Sequence, residues 1–478
     1  MKKILFVILL FIAPFILYWH TVDYGLTYLD DDALVGNSAV VKRPLWLRDV
    51  FAKDVFLGDG FKSGFYRPLL NLSFIADGLI GGGKLWFFHI SNIFLHSCFC
   101  VLLFFFLSQF GIASRAAFAG ALFFCVMPYS ATAVAWLPGR NDILLALFIT
   151  AAAMCVAKWR GSGRSAYLAA SSFFFCSALF IKETAAVFPA VALFIIYMRG
   201  GFRRKYISEF LLSALLPVFI YSLARSRADL AGALGSVSLG HIFLFPSLTV
   251  GYFTHVFELS PQNIIMSCFV FLSFTFFFLY TGRKNVRNVA FGLVWFVVFL
   301  IPPLMGRDMF EGYFYVTHRL YLPMAGLVFS VCSVISYRRT EAGKSFARCA
   351  AAVFLAFLCA ETYLYSVPFR DRLSFVQQRF SAGIKKDYGA HYAFLGDYYF
   401  DRRQYRLAGI YYIKALARGF ETGDIHLHMA AVYMTRGDIE GMRRELSAEL
   451  RVSPGDRYAA DGLAQLESAG YIRDGGKK

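Results

Sequence analysis

Three consecutive carboxylates, Asp30, Asp31 and Asp32, stand in the run YLDDDALVGN at positions 28–37, just beyond an apolar N-terminal stretch. Adjacent carboxylates repel one another, which raises at least one pKa unless a cation or substrate compensates. Such a group at a membrane surface suits a general base; a solvated, helix-capping acidic turn is the alternative that the local residues leave open. Cations stand in separate short motifs: Arg67 in YRPL (66–69), Arg140 in AWLPGRND (135–142), Lys182 in KET (182–184) and Arg319 in HRLYLP (318–323). An arginine between Tyr66 and Pro68 is suited to bidentate contact with a lipid phosphate, or equally to anchoring on a headgroup. The same motifs carry Asp142, Glu183 and His318, and FHISNIFLH (88–96) carries His89 and His96. Ionisable groups at the ends of apolar spans are costly and mark substrate paths or structural ion pairs.

The elements that must position these residues follow from composition. The 478 residues are 58% hydrophobic, 18% aromatic and only 17% charged, with a mean hydropathy of +0.55. One water-soluble core cannot hide that much apolar surface. Apolar stretches long enough to cross a bilayer recur from Ile4 to Val367, centred near Ile12, Cys98, Met127, Thr150, Phe174, Leu193, Leu215, Leu272, Val297, Phe329 and Leu358. The expected fold is all-α: a polytopic transmembrane helix bundle of about 11 spans over residues 1–367, a linker at 368–387, and a short helical-repeat domain at 388–478. The first span follows Lys2 and Lys3 without a small-x-small cleavage site, which reads as an uncleaved signal anchor.

Orientation comes from the basic residues. Lys2 and Lys3, Arg115, the Lys158 to Arg164 group, the Arg199 to Lys205 group, the group around Arg287, and the stretch from Arg338 to Arg348 occupy alternate short loops, so that face is cytoplasmic. The parity holds if the apolar stretch at 241–257 is an interfacial or re-entrant helix and not a full span. The loop at 21–84, the acidic run and the C-terminal domain then lie on the exported side, in a periplasm or lumen. Two short amphipathic stretches in that loop, LWLRDVF (45–51) and its neighbour around Phe56, look like helices lying flat on the bilayer. The cytosolic rim accounts for the formal net charge of +17, so no nucleic-acid partner is expected. The nine cysteines lie within apolar stretches and read as buried hydrophobes; no metal-ligand spacing is present.

After Val367 the composition turns soluble and mixed in charge. Tyr392, Leu395, Gly396, Tyr399, Ala408, Tyr412 and Ala415 fall at the packing positions of a tetratricopeptide (TPR) repeat, and a second unit carries Met429, Ala430, Tyr433 and Pro454. A further helical stretch, from Tyr458 to Tyr471, is placed to cap the stack. Its physical role is to present a surface to a protein or peptide partner.

Taken in order, these motifs and the repeat tail resemble the membrane-embedded GT-C glycosyltransferases, particularly the transmembrane-and-TPR proteins related to protein O-mannosyltransferases. The resemblance spans roughly residues 1 to 370. It implies transfer of a sugar such as mannose from a polyprenyl-phosphate donor to an acceptor hydroxyl of a protein or glycan at the exported face, without a cofactor or metal beyond the donor lipid. The acidic run becomes the acceptor-activating base, in the order Asp31, Asp32, Asp30. Arg67, Arg140, Lys182 and Arg319 become candidates for neutralising the donor phosphate. Tyr66, His89, Asp142, Glu183 and His318 are further site candidates. Compact loops and the basic rim favour a bacterial inner membrane over an endoplasmic reticulum. Two other classes stand beside this reading: a non-catalytic scaffold recruiting an exported partner through its repeats, and a lipid or sugar transporter, which would show broken helices near the bilayer midplane.

Overall fold

The structure is a computed structural model that describes residues 2–28, 30–36, 47–57, 63–228, 276, 280, 285–304, 317–337, 344–381, 388–421, 424–469 and 471. The expected helix at 241–257 and the span centred near Leu272 lie outside these residues. The chain divides into two compact units, Met1–Arg370 and Asp371–Lys478.

The described residues of the first unit are helical: α1 (Lys2–Tyr18), α2 (Leu47–Ala52), α3 (Pro68–Gly81), α4 (Leu85–Gln109), α5 (Ser114–Cys125), α6 (Pro128–Ala135), α7 (Arg140–Ser162), α8 (Ser165–Leu179), α9 (Phe188–Met198), α10 (Arg204–Ser226), α11 (Val286–Leu304), α12 (Tyr321–Tyr337) and α13 (Lys344–Ser366). Among them, six helical stretches are long and apolar enough to cross a bilayer: Lys2–Asp23, Leu85–Gln109, Leu137–Ser162, Arg204–Ser226, His318–Ser336 and Ala351–Phe369. This makes the chain an integral membrane protein. The stretch near Met127 is a seventh only if α5 and α6, bent by 60° at their break, count as one span. The stretches centred on Phe174, Leu193 and Val297 form shorter apolar helices, Ser165–Leu179, Glu183–Met198 and Val286–Pro302. Hydropathy averaged along the chain cannot see the turns that cut the first two of these short. The loop read as hydrophilic from 21 to 84 also holds an apolar helix, α3, whose Leu70 and Phe74 are buried.

The break between α5 and α6 bears on the transporter reading, since an opened helix in the apolar layer frees carbonyls that must find donors. Side chains supply them. Thr362 Oγ1 donates to the Val126 carbonyl at 2.7 Å and Ser130 Oγ to the Phe124 carbonyl at 3.2 Å, while at the far end of α6 Asn92 Nδ2 donates to Val134 at 3.2 Å. The break is therefore closed off by protein and turns the chain toward Trp136.

Elsewhere small residues bring helices together. Gly292 of α11 and Gly326 of α12 approach so closely that a methyl group on either would meet the other's backbone, the usual device where apolar surroundings supply no hydrophobic drive. Phe106, Phe110, Phe291, Trp295 and Phe329 fill the space beside them. On the outer surface of α10, Leu212, Leu215 and Phe219 remain 72%, 63% and 64% exposed, as a lipid-facing helix requires.

The second unit comprises α14 (Arg372–Ser381), α15 (Tyr388–Asp401), α16 (Tyr405–Leu416), α17 (Ile425–Thr435), α18 (Ile439–Val452) and α19 (Arg457–Ser468). Successive helices pair, α15 with α16 and α17 with α18. Ala408, Tyr412, Ala415 and Met429 lie in one core and Ala430 in the next. Gly396 leaves room for the Tyr412 ring, which would overlap any Cβ there. The Tyr412 hydroxyl donates to Asp397 Oδ1 at 2.8 Å, and Pro454 lies in the turn between α18 and α19.

Candidate functional site

The acidic run folds into a tight turn. Thr27 donates to Asp31 Oδ2 through both its backbone N–H, at 3.1 Å, and its hydroxyl. The Leu34 N–H donates to the Asp30 carbonyl at 3.0 Å, and a π-helical turn runs from Asp32 to Gly36. The three carboxylates therefore have different surroundings. Asp31 is only 1% exposed. Burial pushes its pKa up to about 7, Thr27 and Trp136 pull against that rise, and Asp30 adds to it. Asp30 is exposed to solvent. Protein still crowds it closely enough to raise its pKa, opposed by the fields of Arg67 and Arg319. A carboxylate both accessible and crowded lies in a recess. Asp32 is partly exposed at the start of the π-helical turn.

Trp136 carries the turn into the rest of the site. Its indole N–H donates to Asp31 Oδ2 at 3.2 Å, and its ring lies 5.0 Å from that of His318. His318 Nε2 stands 3.7 Å from Asp142 Oδ2. Asp142 in turn takes both carboxylate bonds from Lys182 Nζ, at 2.6 and 2.7 Å, and Asn141 Oδ1 accepts from the same amine at 3.3 Å. Burial outweighs the Asp142 charge and lowers the Lys182 pKa to about 8.

Local sequence explains these positions. Pro138 occupies a 3-10 turn after Trp136, and a Cβ at Gly139 would stand 2.7 Å from the Thr132 carbonyl, so only glycine lets the chain double back there before α7. Lys182 is extended between α8 and a 3-10 turn beginning at Glu183, and the two side chains go to different partners. Lys182 reaches Asp142, while Glu183 Oε2 accepts from Arg67 Nε and Nη2 at 3.2 and 3.0 Å. Pro68 starts α3 immediately after Arg67, and the Leu69 N–H is tied to the Phe180 carbonyl at 3.2 Å. Arg319, partly exposed in the 3-10 turn Thr317–Leu320, makes no ion pair among the described residues. Its field reaches Asp30 and Lys182.

Asp30, Asp31, Arg67, Asp142, Lys182, Glu183, His318 and Arg319 thus come together from five segments. Arg140 goes elsewhere. It is fully buried, paired with Asp77 at 2.5 Å, bonded to Asn92 Oδ1 at 2.6 Å and to the Phe88 carbonyl at 3.0 Å, and lies over the Phe74 ring. It clamps α3, α4 and α7 together behind the recess. His89 is buried with its ring 6.3 Å from Tyr24. Tyr66 is buried too, its hydroxyl spent on the Phe51 carbonyl at 2.9 Å. Thr27, Trp136 and Asn141 complete the site without having been singled out by the sequence. The signal for Trp136 and Asn141 was their place inside AWLPGRND, read only for its arginine and aspartate.

The chain is similar to protein O-mannosyl-transferases of the TMTC type. Protein O-mannosyl-transferase Tmtc2 of Drosophila melanogaster is 32% identical over 204 residues, which are 39% of this chain and 21% of the fly protein. Protein O-mannosyl-transferase tmtc2 of Xenopus laevis is 26% identical over 287 residues, 57% of this chain and 32% of the frog protein. TMTC2 of Homo sapiens is 26% identical over 230 residues, 44% of this chain and 27% of the human protein. The chain therefore spans less than a third of the length of these relatives. No family model and no solved structure matches it.

Proposed function

We propose that this protein is an inverting membrane glycosyltransferase that moves a sugar, mannose first among candidates, from a polyprenyl-phosphate donor to an acceptor hydroxyl of a protein or glycan. The single observation that carries the reading is the exposed carboxylate of Asp30 next to Asp31, which Trp136 and His318 link to Asp142 and Lys182, with Arg67 and Arg319 acting on Asp30. Asp30 takes the acceptor proton as the acceptor oxygen attacks the anomeric carbon. The bond from that carbon to the phosphate oxygen breaks, and its electron pair leaves on the lipid phosphate. Its raised pKa makes Asp30 a stronger base than an ordinary aspartate. Asp31, closed in by Thr27 and Trp136, holds the turn and cannot itself meet an acceptor, so Asp30 takes the role that the resemblance implies first for Asp31.

The leaving phosphate gains charge as the sugar departs, and fixed cations facing it stabilise that change. Arg67 and Lys182 already have carboxylate partners, which makes Arg319 the first phosphate contact and the other two secondary. The helix pairs of the second unit are TPR-like, and the exposed stripe Leu407, Ile410 and Ile413 on α16 gives a protein partner a place to bind. The distribution of basic loops puts the recess and the repeats on the exported face, of a bacterial inner membrane in the first instance.

The test offers purified full-length protein mannose on undecaprenyl phosphate, on dolichyl phosphate and on a nucleotide, with exported peptides as acceptors. Transfer from a lipid phosphate alone is expected. Transfer from the nucleotide sugar alone would remove the donor assignment. Absence of transfer from all three, with repeat-surface variants losing function in cells, would leave the scaffold reading in its place.

A further inference from the structure

We propose that His96, Cys100 and Cys125 form a binding site for a soft d10 cation, Zn(II) or Cu(I), which ties α4 to the broken end of α5. Their donor atoms, one from each residue, all lie within 4.8 Å of one another, and all three residues are buried. An imidazole with two thiols is the donor set that such cations prefer. With metal–sulfur bonds of about 2.3 Å and metal–nitrogen bonds of about 2.0 Å, a nitrogen and a sulfur on one ion stand roughly 3.5 to 3.7 Å apart at tetrahedral or trigonal angles, and two sulfurs roughly 3.8 to 4.0 Å. His96 Nε2 and Cys100 Sγ are 3.8 Å apart, and with no pair of donors beyond 4.8 Å shifts of about 1 Å bring all three onto an ion.

The other nitrogen of His96 is already fixed. Nδ1 lies 2.5 Å from the Tyr321 hydroxyl; with a metal on Nε2, the Nδ1–H donates to that phenol oxygen, the kind of outer hydrogen bond that holds a metal-bound histidine in one tautomer. Nε2 is weakly engaged: its nearest oxygen, the Cys125 carbonyl, is 3.4 Å away, long beside a typical N–H···O distance of about 2.9 to 3.0 Å. Charge favours the assignment as well. His96 lies midway along the 25-residue α4, where a net charge is expensive. Zn(II) with two thiolates and a neutral imidazole sums to zero, as does Cu(I) with one thiolate and one thiol. The spacing is invisible in the sequence, because Cys125 comes from a different helix and lies 25 positions beyond Cys100. Its place at the end of α5 puts the ion where the helix breaks, so its role is to fix the bend that leads the chain to Trp136 and the recess.

The full chain is purified in detergent with metal-free buffers, assayed for zinc and copper by mass spectrometry, and assayed again after loading with each ion. Retention of about one Zn(II) or Cu(I) per chain is expected, falling to about a tenth or less in Cys100→Ser and Cys125→Ser and unchanged in Cys98→Ser. Co(II) loading should give thiolate-to-metal charge-transfer absorption in wild type. Wild-type protein that holds neither ion after loading and shows no such absorption would overturn the proposal without reference to any variant. So would metal retained equally by a folded Cys100→Ser/Cys125→Ser double variant.

Discussion

Replacing Trp136 by Phe keeps most of the ring volume and removes one donor, the indole N–H that lies 3.2 Å from Asp31 Oδ2. A hydrogen bond to a charged group contributes about 1.5 to 3 kcal/mol, and about 1.4 kcal/mol is a tenfold change in proton affinity. The separation is at the long end for such a bond, so the low figure applies, and the Asp31 carboxyl should hold its proton about tenfold more tightly. In wild type burial already brings its pKa to about 7. Asp30 is the base, so Asp31 reaches the rate only through its field: once protonated it no longer repels the charge on Asp30, which then ionises at lower pH. The ionised fraction of Asp31 at pH 7 should fall from about one half to about one tenth in the variant. The acid limb of the pH–rate profile, which follows Asp30, should therefore move to lower pH, with the rate at pH 9 equal to that of wild type. The assay is sugar transfer by purified protein from pH 5.5 to 9. A loss of rate by the same factor at every pH, with the limb unmoved, would show that Trp136 only fills space and that the link from the acidic turn to His318 does not tune the carboxylates.

The pKa of Asp31 also makes a prediction about stability. A folded-state value of about 7 against 3.8 for the free group means that the folded chain binds this proton more tightly, so the contribution is present at acid pH and is lost as pH rises from about 4 through 7. Asp31→Asn escapes that loss, and its melting temperature relative to wild type should climb between pH 4 and pH 8, reflecting up to about 4 kcal/mol; a difference independent of pH would contradict the burial argument. Arg140→Gln leaves Asp77 buried without its cation and should destabilise the membrane unit by about 3 to 5 kcal/mol, read as a lower melting temperature. A stable variant that loses only donor affinity would return Arg140 to the phosphate site. Arg319→Gln should lower kcat by about 10²-fold or more with a smaller effect on KM, because its contact strengthens as the phosphate leaves. A change confined to KM would make it a ground-state anchor.

How far the sequence could be read depends on the range of the forces involved. The all-helical membrane class was legible because apolar excess accumulates over whole segments, and the burial of Ala408, Tyr412 and Met429 in one core followed from regular spacing. Span lengths were not legible: α8 and α9 are cut short by turns that hydropathy averages over. Within the site, Lys182 with Asp142 and Arg67 with Glu183 were legible as residues of the right type at span ends, but not as pairs, since their partners lie 40 and 116 positions away. The same limit misplaced Arg140, whose motif gives no sign that Asp77 and Asn92 lie on the far side of the helix. It also hid the different exposure of Asp30 and Asp31, which depends on Thr27 and Trp136 closing over one neighbour and not the other.

The most direct test of the central claim is the rate of sugar transfer from polyprenyl-phosphate mannose by purified Asp30→Asn, compared with wild type and with Asp31→Asn at matched folding and detergent. Loss of the accessible base should lower kcat by about 10²- to 10⁴-fold with donor KM little changed, while Asp31→Asn, which keeps Asp30, should retain measurable transfer. Wild-type transfer by a folded Asp30→Asn protein would contradict the account, because Asp30 is the exposed carboxylate on which the fields of Arg67 and Arg319 act.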